Sequence, residues 1–63
     1  MKIPSINTIK TAEQAEELAI EWSNWEPEPQ LSWQEIYDWQ EFFTALADKF
    51  PELRDDFIEN AII

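Results

Sequence analysis

Apolar positions recur along this chain at helical spacing, not at the alternation of a strand. Between Ala12 and Trp25 the apolar residues Ala15, Leu18, Ala19, Trp22 and Trp25 come three or four apart. That spacing puts them on one face of a helix. Glu13, Glu16, Glu17 and Glu21 take the opposite face, and Ile20 sits among them against the pattern. Thr11 with Gln14 makes a T-x-x-Q capping box ahead of the run. Glu13 suits the positive end of the helix dipole. The spacing predicts a first helix over 12–25. Glu26-Pro27-Glu28-Pro29 ends it, because proline fixes its own φ and drives the preceding residue out of the α region. This stretch reads as a stiff, charged connector.

Ser32 and Glu35 form an S-x-x-E capping box, and Leu31 with Ile36 forms a hydrophobic staple across the same boundary. A second helix is predicted over 33–49. Its apolar arc holds Trp33, Ile36, Trp39, Phe42, Phe43, Leu46, Ala47 and Phe50. An arc wider than about 100° belongs to a helix covered on more than one side, so this helix is expected at the centre. Pro51 is acceptable at the first position of a third helix, predicted over 52–60. Phe50 is a poor cap, which leaves a kink as the alternative. Leu53, Phe57 and Ala61 give the third helix a narrow stripe, and Asn60 suits its end because Asn tolerates the left-handed region. Residues 1–10 carry Ile3, Ile6 and Ile9 around Pro4. They read as an irregular N-terminal arm that lays isoleucines on the core, or as a frayed terminus. The expected fold is all-α, a small three-helix domain over 11–63 with a central, aromatic-rich second helix. The short connector lets the first two helices pack antiparallel.

Composition narrows the function. The chain has 63 residues, which allows one domain at most, with 14 Asp and Glu against 4 Lys and Arg and a net charge of −10. With no Cys, disulfides and thiolate zinc sites are excluded. With no His, the commonest metal ligand and the easiest general base near neutral pH are missing. With no Gly, phosphate-cradling loops and dinucleotide fingerprints cannot form. Lys2, Lys10, Lys49 and Arg54 stand singly, so direct nucleic-acid binding is not expected. No apolar run is long enough for a membrane span or a signal peptide, so the expected location is the cytoplasm. No Ser has a candidate base beside it, and a chain this short leaves little room for a cleft that would position two carboxylates. No enzyme activity, cofactor or metal is expected. Binding is left.

Two features are candidates for it. The first is the acidic surface. Glu13, Glu17 and Glu21 run at i, i+4, i+8, Glu16 flanks them, and Glu26 and Glu28 extend the charge. Asp38, Glu41 and Asp48 lie on the outer face of the second helix, and Glu52, Asp55, Asp56 and Glu59 crowd the third. Such a surface is either a solvated face that keeps a small protein soluble, an imitation of a phosphate backbone, or a dock for some other basic partner. The second feature is aromatic. Nine aromatic residues, four of them Trp, exceed what a small core hides completely. Trp25 and Trp33, on either side of the connector, and Tyr37 are the expected surface aromatics. Ile20, Ile62 and Ile63 are further apolar misfits that read as partner contacts or as scattered exposed residues. A small structural or adaptor protein, or a homodimer, using the Trp, Tyr37 and the C-terminal isoleucines is the alternative to an acidic module.

The stretches AEQAEELAIEWSNW, LSWQEIYDWQEFF and FIENAII resemble small acidic proteins encoded by phages and conjugative elements of Gram-positive bacteria. The likeness runs from Thr11 to the end and carries over no catalytic residue. It implies a setting in a bacterial host cell, where mobile elements use small acidic inhibitors against restriction and CRISPR nucleases. The partner it implies is the basic groove of a nucleic-acid-binding protein.

Overall fold

The computed structural model describes all 63 residues and is all-α. A 3-10 turn at Ile6–Thr8 is followed by α1 (Ala12–Asn24), α2 (Trp33–Lys49), a second 3-10 turn at Pro51–Leu53 and α3 (Arg54–Glu59). Both predicted capping boxes form. Thr11 Oγ1 accepts the Gln14 N–H at 3.2 Å, while Gln14 Oε1 accepts the Thr11 N–H at 3.2 Å and the Lys10 N–H at 2.7 Å. Ser32 Oγ accepts the Glu35 N–H at 3.2 Å, and Glu35 Oε1 accepts the Ser32 N–H at 3.3 Å. These bonds satisfy donors that a helix N-terminus leaves unpaired, and so fix where α1 and α2 begin.

The core is eleven apolar residues with no buried polar or charged group. Its spine is a run of rings crossing all three helices. Trp22 of α1 stacks on Trp39 of α2 at 5.0 Å, and Trp39 stacks on Phe43 at 5.7 Å. Phe43 meets Phe57 of α3 edge-on at 5.7 Å. Each such pair contributes about 0.5–1.5 kcal/mol beyond its area. The end of α1 meets the first half of α2 through these rings. The arm that precedes α1 lies at the end of α2, where Lys49 holds the carbonyls of Ile6 and Ile9.

The arm docks and does not fray. Ile9 is buried and Ile6 half-buried, and Lys49 Nζ donates to Ile9 O at 2.7 Å and to Ile6 O at 3.2 Å. The same ammonium lies 5.6 Å from the Phe50 ring centre. At the other end, Pro51 starts a 3-10 turn that leads into α3, so Phe50 marks a break between elements and not a kink.

Several expectations are corrected. Trp33 is not part of the apolar arc of α2. It is 73% exposed, because the buried arc is centred on Trp39, Phe43 and Leu46. Ile62 is not a surface residue. At 4% exposure it belongs to the core, because α3 ends in a Schellman turn that folds the tail back. The Ile62 N–H donates to Phe57 O at 2.7 Å and the Ala61 N–H to Ile58 O at 3.1 Å. Ala61, not Asn60, takes the left-handed conformation there, with φ 58°. Asn60 instead donates its side-chain amide to Asp56 O at 2.9 Å.

Candidate functional site

All eighteen charged side chains lie at the surface. The one ion pair among them joins Arg54 to Asp48 at 3.9 Å, with both partners well exposed. Such a pair is worth little. The carboxylates of α1 have no cationic partner. Glu13, Glu16, Glu17 and Glu21 occupy about 12 Å of helix at 1.5 Å per residue. That is one charge per about 3–4 Å, close to the roughly 3.4 Å per charge of one DNA strand. No three carboxylates in the molecule converge to hold a metal ion.

The acidic row has two flanks. On one, Glu17 and Glu21 border the arm at Pro4, Thr8 and Ile9. On the other, Glu16 faces α3 across a groove of about 330 Å³ that also takes in Asp56. Ile20 lies at this groove, 53% exposed, above an apolar lining of Ala19, Leu53, Phe57 and Ile62. Ile20, which breaks the acidic pattern of the helix, lies on the groove side of the row.

The expected site residues do not form one surface. The α1 set, Glu13, Glu16, Glu17, Ile20 and Glu21, is brought together. Trp33, Tyr37 and Glu41 lie on the outer side of α2. Tyr37 is about 160° round that helix from Trp39, which faces α1. The Trp33 and Tyr37 rings are 6.3 Å apart, and Tyr37 is 57% exposed. Asp38 is separated from the α1 row by the arm, whose Met1, Lys2 and Ile3 border Glu35 and Asp38. Glu26 and Glu28 project from the connector.

Trp25 departs from expectation. It is half-buried, with its ring 5.9 Å from that of Trp22 and 6.5 Å from that of Trp39. The chain turns extended at this residue (φ −76°, ψ 131°), and the ring packs over the end of the core instead of facing solvent. With Pro27, Leu31 and Ile36 it walls a second cleft of about 460 Å³. Sequence reasoning missed this cleft. Its signal was the hydrophobic staple of Leu31 and Ile36 beside a proline-bounded Trp. The docking of Ala61 and Ile62 against it depends on the Schellman turn, which periodicity does not reveal.

No family model matches the chain, and neither a curated protein nor a solved structure is significantly similar to it. No helix is long and apolar enough to cross a membrane.

Proposed function

We propose that this chain is a non-enzymatic acidic binding module, and that the α1 face imitates a phosphate strand to occupy the basic groove of a nucleic-acid-binding protein. The observation that carries this reading is the unneutralised row of Glu13, Glu16, Glu17 and Glu21, set at nearly the charge spacing of a nucleic-acid strand. Like charges at i, i+4 destabilise a helix by a few tenths of a kcal/mol per pair. A small domain that retains them at this density bears a cost that a partner's cations would remove. The partner we propose is a host defence or regulatory protein, met in the bacterial cytoplasm.

The test is the triple variant Glu13→Lys, Glu17→Lys, Glu21→Lys in pull-down from a host lysate. Binding should disappear while the helical circular dichroism remains. The wild-type complex should weaken steeply as salt rises, since exposed charges are screened beyond about 8 Å at physiological ionic strength. A folded triple variant that still captures the partner would overturn the reading.

A second reading is favoured by one specific observation, the exposed Trp33 and Tyr37 pair. This is an adaptor or homodimer surface on α2. Of the C-terminal isoleucines, Ile62 is unavailable to it, being part of the core. Salt-resistant binding, or a dimer in sedimentation that Trp33→Ser dissolves, would favour this reading over the acidic one.

A further inference from the structure

The two clefts adjoin. The groove between α1 and α3 and the cleft under the connector share Ser23, Asn60 and Ile62 as lining residues. Side by side they form a trough that borders α1 from Glu16 to Ser23, about 10 Å at helical rise, with Trp25 just beyond the end of the helix. Its two halves differ in chemistry. The half between α1 and α3 carries Glu16 and Asp56 beside an apolar lining and the exposed Ile20. The other half is walled by Trp22, Trp25, Pro27, Leu31 and Ile36 and has no charged residue at all, in a chain of net charge −10.

We propose that this trough is the seat of a cationic amphipathic helix from a partner protein, with apolar anchors about two turns apart. The proposal rests on the reading of the chain as an acidic binding module and names the partner's chemistry. One anchor packs on Ile20 over the lining of Ala19, Leu53 and Phe57. The next enters the neutral Trp-walled half. Lys or Arg residues beside the first anchor meet Glu16 and Asp56. Charge complementarity selects this occupant. An acidic or neutral segment would meet the carboxylates unpaired, and a purely basic one would leave the Trp-walled half unfilled. An apolar helix face laid in a groove by anchors at i, i+3/i+4 and i+7 is a recurring recognition mode.

The experiment uses two probes of about 15 residues, long enough for measurable helicity. One is an amidated Lys/Leu peptide with Leu at helical spacing. The other has the same charge, with Ser replacing Leu. Binding is read by anisotropy in about 150 mM NaCl. The Lys/Leu peptide should bind at least about tenfold more tightly than the Lys/Ser peptide. Ile20→Asn should cut Lys/Leu binding by about tenfold and leave Lys/Ser binding unchanged. Ile58→Asn, at an exposed isoleucine outside the trough, should alter neither. Glu16→Gln with Asp56→Asn should weaken both. Equal affinity for the two peptides, no binding of either, or indifference to Ile20→Asn would overturn the trough. Glu13, Glu17 and Glu21 do not line it, so their charge-reversed variant tests the phosphate-strand reading separately.

Discussion

Lys49 Nζ donates to the backbone carbonyl of Ile9 at 2.7 Å, joining positions 40 residues apart. This bond, with the one to Ile6 O at 3.2 Å, ties the N-terminal arm to the end of α2. The arm has little else to hold it, since only Ile9 of its residues is fully buried.

Lys49→Met should therefore release the arm. The loss is about 1 kcal/mol, below the roughly 1.5–3 kcal/mol of a hydrogen bond to a charged group because water competes for the exposed ammonium. Hydrogen exchange is the decisive measurement. The amides of Thr8 and Ile9, which donate to Ser5 O and Ile6 O, should lose protection, while those of α2 keep theirs. Unchanged protection at Thr8 and Ile9 would show that the isoleucines alone hold the arm.

Ala61 occupies a position that favours glycine. Its φ of 58° places Cβ in a crowded conformation. Ala61→Gly should raise stability by about 0.5–1 kcal/mol, net of the added chain entropy of glycine. The midpoint of urea unfolding should rise. Ala61→Val should lower it, because a β-branched residue suits this region least. A fall on Ala61→Gly would mean that the turn is not held as described.

The four tryptophans divide into classes that mutation separates. Trp39 is buried and its ring meets those of Trp22, Trp25, Phe42 and Phe43. Trp39→Ala should cost about 3–5 kcal/mol, enough to unfold a domain of this size. Trp33→Ala should change stability by less than about 0.5 kcal/mol. Thermal melts followed by circular dichroism distinguish the two. If both variants melt alike, the arrangement of rings is wrong.

Self-repulsion should dominate the salt dependence of the fold. With a charge of −10 and one loose ion pair, there is little attraction for salt to screen. The melting temperature should rise between about 10 and 150 mM NaCl as the screening length falls from about 30 to 8 Å. A flat or falling melting temperature would indicate attractive pairs that are not apparent in this arrangement of charges.

What the sequence determined by itself is local. Thr11 with Gln14 and Ser32 with Glu35 set the starts of α1 and α2, because a capping box acts across three residues. Pro27, Pro29 and Pro51 set the breaks, because proline acts on its own φ and its neighbour's. The acidic row and the central aromatic helix followed from periodicity alone. Tertiary structure decided the rest. Trp25 and Trp33 are both Trp beside the same connector, yet one packs over Trp22 and Trp39 and the other faces solvent. Ile20 and Ile62 both broke the sequence pattern, yet one stays exposed at a groove and the other completes the core. These outcomes turn on where the chain goes after each helix ends, at Trp25 and at Ala61. Such directions depend on which distant surfaces are still uncovered, and no local pattern of residues encodes them.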